Sequence, residues 1–487
     1  MRAKRETTLL IHIDPAAPIP LYQQIYRQFR DAISEGRLAT GVRLASIRSL
    51  AFDLGVSHTT VEQAYLQLAT EGFVEGIPRS GYVVAHIDTE YMALDRHVDV
   101  GLVESTLVDR SRDAFFAENR AGAQVPFDFS YANLQPDAFP ANEWRRILSD
   151  VLYRFDCPEL SRYEYTDEPS SLTSALARHL ARTRGVRCVP EQVFVQAGTD
   201  GALSTVLQLF DRERDVLGME EPGYATVHEV ARRQGFRMTP LPSDQGSEVF
   251  LSALDRAKPR IVFTTPSHQF PTGSLLSLDV RTRLLRWAEA NDAFIVEDDS
   301  CNEFRYGTAP IPSLQSLDAF GRVVYLNNVS KTLAPGLRVA YVVLPPYLLR
   351  RYWELFNYAH PPVSWLTCEV LARFMEGGHW DAHVRRVLKS NRRNRDELLR
   401  HLGAELGETV RVSGTDAGMH FYVAVRNGMT QRELLESALA EGAKVYGTSR
   451  MWFSRPAPEE NVMIGFSAIS HDRIADGVAA LRRAWRG

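Results

Sequence analysis

Ala293-Phe294-Ile295-Val296-Glu297-Asp298-Asp299 decides the fold: four apolar residues that read as a buried strand, closed by three acids. A second β-rich run, Arg322-Val323-Val324-Tyr325-Leu326, leads into Ser330-Lys331-Thr332, and Arg338 stands seven positions beyond Lys331. Acids at one strand end and a Ser-Lys…Arg group beyond the next suit a parallel sheet, whose ligands collect at the carboxyl ends of the strands. An amine for a Schiff base, an acid for a pyridinium nitrogen and an arginine for a phosphate are together what pyridoxal phosphate requires.

A lone Ser-Lys carries little weight, because most lysines are solvated surface charges. Three blocks in order carry more: Thr265-Pro266-Ser267-His268-Gln269-Phe270-Pro271-Thr272-Gly273, then Glu297-Asp298-Asp299, then Ser330-Lys331-Thr332-Leu333-Ala334-Pro335 with Arg338. Together they resemble the C-terminal part of MocR/GabR-type regulators. That resemblance implies a multidomain chain, a GntR-type winged helix-turn-helix fused to an α/β fold-type I, class I/II aminotransferase-like domain with a smaller C-terminal α/β subdomain.

The composition agrees with such a chain. At 487 residues two or three domains are expected, and 45% apolar with 24% charged residues is ordinary for a soluble globular protein. A net charge of −4 excludes a polycation that coats nucleic acid. Cys157, Cys188, Cys301 and Cys368 are scattered without a C-x-x-C pair, against a disulfide framework or a zinc ribbon. The basic start, Met1 to Arg5, has no apolar stretch behind it, and no run reaches the length of a membrane span. The expected compartment is the cytoplasm, and no metal site is expected.

In the first quarter, Leu21, Ile25, Phe29 and Ile33 recur at helical spacing after Pro20, with Gly36 as a stop. Ser46 reads as the cap of a short helix broken at Gly55, and Ser57 as the cap of a third carrying Val61, Ala64, Tyr65 and Leu68. Phe73 to Gly76 and Gly81 to Val84 flank a polar tip, a hairpin that would form a wing. Residues 18–87 therefore read as the DNA-binding domain. The resemblance carries DNA contacts onto Arg48, Ser57, Thr59 and Thr60 and onto Arg79 to Gly81; His58 stands where the family often has arginine. For any one of the serines and threonines a plain helix cap is an equal reading. Between Leu21 and Val84 six arginines face six acids, so the module alone lacks a strong non-specific pull on DNA. Residues 88–125 show no consistent periodicity and read as a tether.

Residues 126–487 alternate strands with amphipathic helices around a mostly parallel sheet. Leu172 to Arg184 reads as a helix stopped by Gly185, and Gln192 to Val195 as a strand. Ala197-Gly198-Thr199-Asp200-Gly201 then turns into a helix whose exposed amides suit a phosphate. The resemblance assigns Gly198, Thr199 and Arg338 to the cofactor phosphate and Tyr224 to the face of its ring. It assigns Asp298 to the pyridinium nitrogen and Lys331, with Ser330 beside it, to the internal aldimine, Lys331 being the catalytic residue.

Several positions differ from the family pattern or from ordinary aminotransferases. Ser300 stands where a tyrosine would bond the cofactor 3′-oxygen, and Phe270 where ordinary aminotransferases have asparagine, as is typical of the MocR type. Asp200 replaces a common glutamine, Asn328 a usual hydroxyl and Glu168 a glycine. Met463 falls about where aminotransferases place the arginine that grips a substrate carboxylate. The expectation is a homodimeric regulator that binds operator DNA and senses a small amine or amino compound through an aldimine at Lys331, with little or no transaminase turnover. A working aminotransferase with a DNA-binding module, and a regulator that has lost its cofactor, are the rivals.

Overall fold

The computed structural model describes residues 9–79, 81–87, 125–131, 133–154, 158–161, 169–307 and 311–486. These fall into two units, one on each side of the stretch 88–124. The tether (but for Val125), Ser80 and Glu168 lie outside the described residues.

The first unit is set by its caps and one aromatic core. Pro20 precedes α1 (Leu21–Ser34), which buries Ile25, Phe29 and Ile33. The Ser46 side chain accepts a hydrogen bond from Ser49 N at 3.1 Å to start α2 (Ile47–Leu54), and Gly55 ends it at φ 64°. Ser57 likewise accepts from Thr60 N at 3.1 Å to start α3 (His58–Thr70). Each such cap contributes about 1 kcal/mol. Tyr65, fully buried on α3, meets Phe29 and Tyr82 edge-on at 5.5 and 5.3 Å, tying helix to hairpin. That hairpin pairs β1 (Val74–Ile77) with β2 (Gly81–Val84), and Arg43 bridges to Val83 on its free side.

The second unit opens with β3 (Phe127–Asp128), α4 (Ala141–Arg154) and α5 (Ser171–Arg184), the last stopped by Gly185 at φ 67°. The strand expected from Gln192 runs instead as β4 (Val193–Ala197), because Gln192 is spent closing a turn from Pro190. Then follow α6 (Gly198–Gln208), β5 (Val216–Glu221), α7 (Ala225–Gln234), β6 (Arg237–Pro242), α8 (Ser247–Ala257), β7 (Ile261–Thr264), α9 (Leu278–Ala290), β8 (Phe294–Asp298), β9 (Val323–Asn328) and β10 (Val339–Val343). The sheet order is β4-β10-β9-β8-β7-β5-β6, and β10 alone runs antiparallel to its neighbours.

Strands β7 to β10 are buried along their whole length, which is why they read as continuous apolar runs rather than alternating ones. Successive residues still part to opposite faces. Phe294, Val296, Val324 and Leu326 pack toward α6, α7 and α10 (Pro346–Phe356). Ile295 and Val323 pack with α8 and α9 on the other side, and Tyr325 and Tyr341 with α4, α5 and α11 (Trp365–Glu376). The long α12 (His379–Glu405) leads to a second layer of β11 (Val410–Ser413), β12 (His420–Val425), α13 (Gln431–Ala440), β13 (Ala443–Lys444), β14 (Tyr446–Gly447), β15 (Asn461–Gly465) and α14 (Ile474–Arg486). Its sheet, β11-β12-β15-β14, has its own apolar core, and β13 pairs with β3. Because β4, β8 and β9 run the same way, the turns after Ala197, Asp298 and Asn328 gather at one sheet edge.

Candidate functional site

A cleft opens at that edge, with about 680 Å³ of empty space including its mouth. Lys331, Asp298, Thr199 and Tyr224 all line it. Lys331 is half-buried, and burial lowers the pKa of its ammonium, with Asp298 and Cys301 opposing that loss. Asp298, 8% exposed, is pushed up to about 6 by burial. Both hydrogen bonds it accepts come from Ser300, from the backbone N at 3.0 Å and from Oγ, and both go to Oδ1. Oδ2 accepts none among the described residues.

Beside these lies a built concavity. Gly198 begins α6 at φ 77°, and a Cβ there would stand 2.3 Å from Arg338 Nη2. The guanidinium therefore lies on the glycine itself, at the amino end of an eleven-residue helix. Arg338 is held at φ 51°, a left-handed conformation that a side chain adopts at some cost, of order 1 kcal/mol. A helix start and an arginine in contact are suited to an anion. Asp200, exposed in the first turn of the same helix, puts a carboxylate at that end as well.

Asn328 joins the two halves. Its Nδ2 donates to Thr199 Oγ1 at 3.2 Å and to Ser300 Oγ at 2.7 Å, while its Oδ1 accepts from Ser330 N at 2.9 Å. Ser330 thus shapes the turn before Lys331 through its backbone. Beneath, the buried pair of Arg184 and Asp299 ties two of the sequence blocks, at Ser267 and Asp299, to α5. Arg184 Nε reaches Asp299 Oδ2 at 2.7 Å, Nη2 reaches Ser267 Oγ at 3.0 Å, and Tyr325 Oη donates to Asp299 Oδ2 at 2.8 Å.

In the first unit Arg48, Ser57, His58, Thr59, Arg79 and Gly81 are exposed and Thr60 half-exposed. Ser57 and Thr60 share a 2.8 Å hydroxyl contact in addition to the cap, so both hydroxyls already have a structural task. Arg79 sits at the hairpin tip at φ 62°.

Residues 21–84 match the bacterial regulatory proteins of the gntR family, and residues 130–481 match the class I and II aminotransferases. The uncharacterized HTH-type transcriptional regulator YdeL of Bacillus subtilis is 35% identical over 96% of this chain and 97% of its own length. The probable rhizopine catabolism regulatory protein MocR of Rhizobium meliloti is 32% identical over 98% of this chain and 96% of its own. The chain belongs to the MocR-type transcriptional regulators. Among solved structures, the α-aminoadipate aminotransferase LysN of Thermus thermophilus, complexed with N-(5′-phosphopyridoxyl)-L-leucine, matches at 28% identity and a TM-score of 0.66. That match covers 74% of this chain and 92% of LysN.

In this MocR-type chain an apolar cluster backs Tyr131 and Phe270, which line the cleft. Met463, on β15, is fully buried in an apolar cluster with Met451 and Trp452, against Tyr131, Phe270 and Tyr422. Lys331 is the only Lys or Arg among the described residues that line the cleft. Tyr131, His268 and His420 line it too, and sequence reasoning assigned them nothing. His268 belongs to the block Thr265 to Gly273. Tyr131 and His420 belong to segments far from any block, and only the fold brings them in.

Proposed function

We propose that the MocR-type chain binds pyridoxal phosphate at Lys331 and uses this cleft to sense a small amine or amino compound, while residues 18–87 hold operator DNA. The tether is then 88–125 and the effector domain 126–487. The observation that carries the reading is the joint placement of a desolvated lysine amine, a buried carboxylate with one oxygen uncommitted, and an arginine seated on Gly198.

These residues fit the cofactor. Gly198, Thr199 and Arg338 would hold the phosphate, Asp298 the ring nitrogen, Tyr224 the ring face and Lys331 the reactive carbon, with Ser330 setting the lysine turn. When bound, the cofactor supplies a carbon that exchanges one primary amine for another. Burial favours the neutral, nucleophilic amine of Lys331. Asp298 as a carboxylate keeps the pyridine nitrogen protonated. With Met463 in an apolar cluster and Ser300 turned onto Asp298, the cleft does not hold a substrate carboxylate or a 3′-oxygen as an aminotransferase must. Proton transfer needs such positioning, roughly 10²-fold or more per feature; amine exchange needs little of it. Sensing requires only that the ligand favour one of two arrangements of the protein.

The active form is taken as a cytoplasmic homodimer, whose two-fold symmetry matches paired half-sites on DNA. Among the described residues no helix is long and apolar enough to cross a membrane. On the DNA side, Arg48→Ala weakens binding to operator and random duplex alike by about 1–3 kcal/mol and flattens the salt slope by about one unit. Equal slopes for wild type and variant contradict a phosphate contact. The whole reading is tested by measuring operator affinity of cofactor-loaded protein over a panel of amines and amino acids, with keto-acid formation followed in parallel. A shift in DNA affinity without turnover supports it. Sustained turnover of a common amino acid at ordinary aminotransferase rates overturns it in favour of an enzyme.

A further inference from the structure

The long α12 carries a run of positive charge that no acid interrupts. Between Asp381 and Asp396 stand Arg385, Arg386, Lys389, Arg392, Arg393 and Arg395, and nothing acidic. The first five of these are exposed. At 3.6 residues per turn they fall within an arc of about 120° and a length of about 12 Å. That arc lies opposite the stripe of Trp380, His383, Val387, Asn391 and Asn394 that α12 buries.

Basic residues on a helix are most often a solvated, neutralised face, and the rest of this unit is built that way. Arg178 meets Glu376, Arg283 meets Glu248 and Arg483 meets Glu441. At the two ends of α12 itself, Asp381 takes Arg182, Asp396 takes Arg395 and Glu397 takes Arg400. The middle is the exception. Arg385, Lys389, Arg392 and Arg393 make no ion pair among the described residues, and Arg386 donates to His383 Nδ1 at 3.0 Å instead of to an acid. Like charges three and four residues apart oppose the helix that carries them, so local stability does not account for the run.

The shape of the charge selects an anion. On one flank Arg386, Lys389 and Arg393 line a groove that also takes in Asp137 and Asp472, which disfavours a small anion there. The crest, Arg385, Lys389 and Arg392 at i, i+4 and i+7, is an open row of cations that fits an extended polyanion. A duplex is such an array, with one phosphate charge per about 1.7 Å of its axis. The first unit also needs such help. Its six arginines between Leu21 and Val84 are balanced by six acids, and Arg30 and Arg37 are bound to Asp31 and Glu35.

We infer that the outer face of α12 is a second duplex-binding surface, which grips phosphates without regard to sequence. This goes beyond the operator contacts of residues 18–87 and does not depend on the cofactor.

The test uses full-length protein and a long mixed-sequence duplex, with affinity measured by fluorescence anisotropy over a range of sodium chloride concentrations. Arg385→Gln, Lys389→Gln and Arg392→Gln are combined in one variant. Its slope of log affinity against log salt is expected to be flatter than that of wild type by about 2–3 units for each helix engaged. A control combining Arg212→Gln, Arg256→Gln and Arg432→Gln removes the same charge from exposed positions off this face and is expected to keep the wild-type slope. Replacing Arg385 and Arg392 by lysine is expected to keep it too. A change under about one unit in the α12 variant overturns the inference, and assigns the face to an acidic protein or to solvent. An equal loss in the control overturns it as well, because net charge then explains the effect. Should the combined variant fail to fold, Lys389→Gln alone decides: a slope flatter by about one unit supports the surface and an unchanged slope overturns it. If Arg48→Ala flattens the slope while the α12 variants leave it unchanged, the inference falls and the DNA reading of residues 18–87 stands. Wild type that binds no duplex overturns both.

Discussion

At one end of the cleft Arg338 lies on Gly198, and Lys331 and Asp298 share a wall; at the other, Met463 is sealed in an apolar cluster that backs Tyr131 and Phe270. The first end is built from residues whose charge or conformation has one use. Arg338 and Gly198 both occupy left-handed backbone, and they fit together only as glycine and arginine. The second end can admit a small molecule, and among the described residues Lys331 is the only Lys or Arg lining the cleft. One cleft thus combines a firm hold for a cofactor with a changed reception for whatever meets it. On the proposed reading, that combination would separate recognition of an amine from its chemical conversion.

The largest expected effect comes from forcing the second end back toward an aminotransferase. Met463→Arg would bury an unpaired guanidinium in the apolar cluster, costing roughly 3–5 kcal/mol. A fall in denaturation midpoint of that size, with no gain in amino-acid binding, is the predicted outcome. A stable variant with new affinity for amino acids would show that the cluster around Met463 accommodates a cation after all.

Gly198→Ala strikes the first end. The added Cβ meets the Arg338 guanidinium at 2.3 Å and favours a different φ, so cofactor affinity falls by about 100-fold, from lost charged contacts and local strain together. Equilibrium binding of pyridoxal phosphate by fluorescence measures this; a loss under about threefold contradicts the cradle.

Asp298→Asn has a smaller effect, about tenfold, and a diagnostic pH profile. Only the carboxylate form of Asp298 can pair with the ring nitrogen, and burial sets its pKa near 6. Cofactor affinity in wild type therefore rises with pH through about 6, in the same direction as the growing free-amine fraction of Lys331. In Asp298→Asn the step near 6 disappears and the lysine contribution remains. An identical profile in both proteins would remove Asp298 from the ring nitrogen. The smallest effect, a few-fold, is expected for Asn328→Ala, which unties Thr199 from Ser300 without touching the charges; no change at all would make that bridge incidental.

Much of the fold was legible because it rests on local chemistry. Ser46, Gly55 and Ser57 each act within a few residues, and the buried strands announce themselves as apolar runs. The strand begins one residue after Gln192, because Gln192 closes a 3₁₀ turn from Pro190, and the side-chain pattern gives no sign of that turn. Within the cleft, Lys331 and Asp298 could be named from strand ends and spacing. The bonding of Asn328 could not, because its partners Thr199 and Ser300 are far away in sequence and only register brings them together. The same holds for Arg184, which reads as the end of an amphipathic helix until Asp299 and Ser267 are packed around it.

The central claim is that Lys331 holds pyridoxal phosphate. Full-length protein loaded with the cofactor, reduced with borohydride, digested and mapped by mass spectrometry tests it most directly. A phosphopyridoxyl adduct is expected on the peptide carrying Lys331, and none in Lys331→Ala. An adduct confined to another lysine, or none on wild type under saturating cofactor, would contradict it.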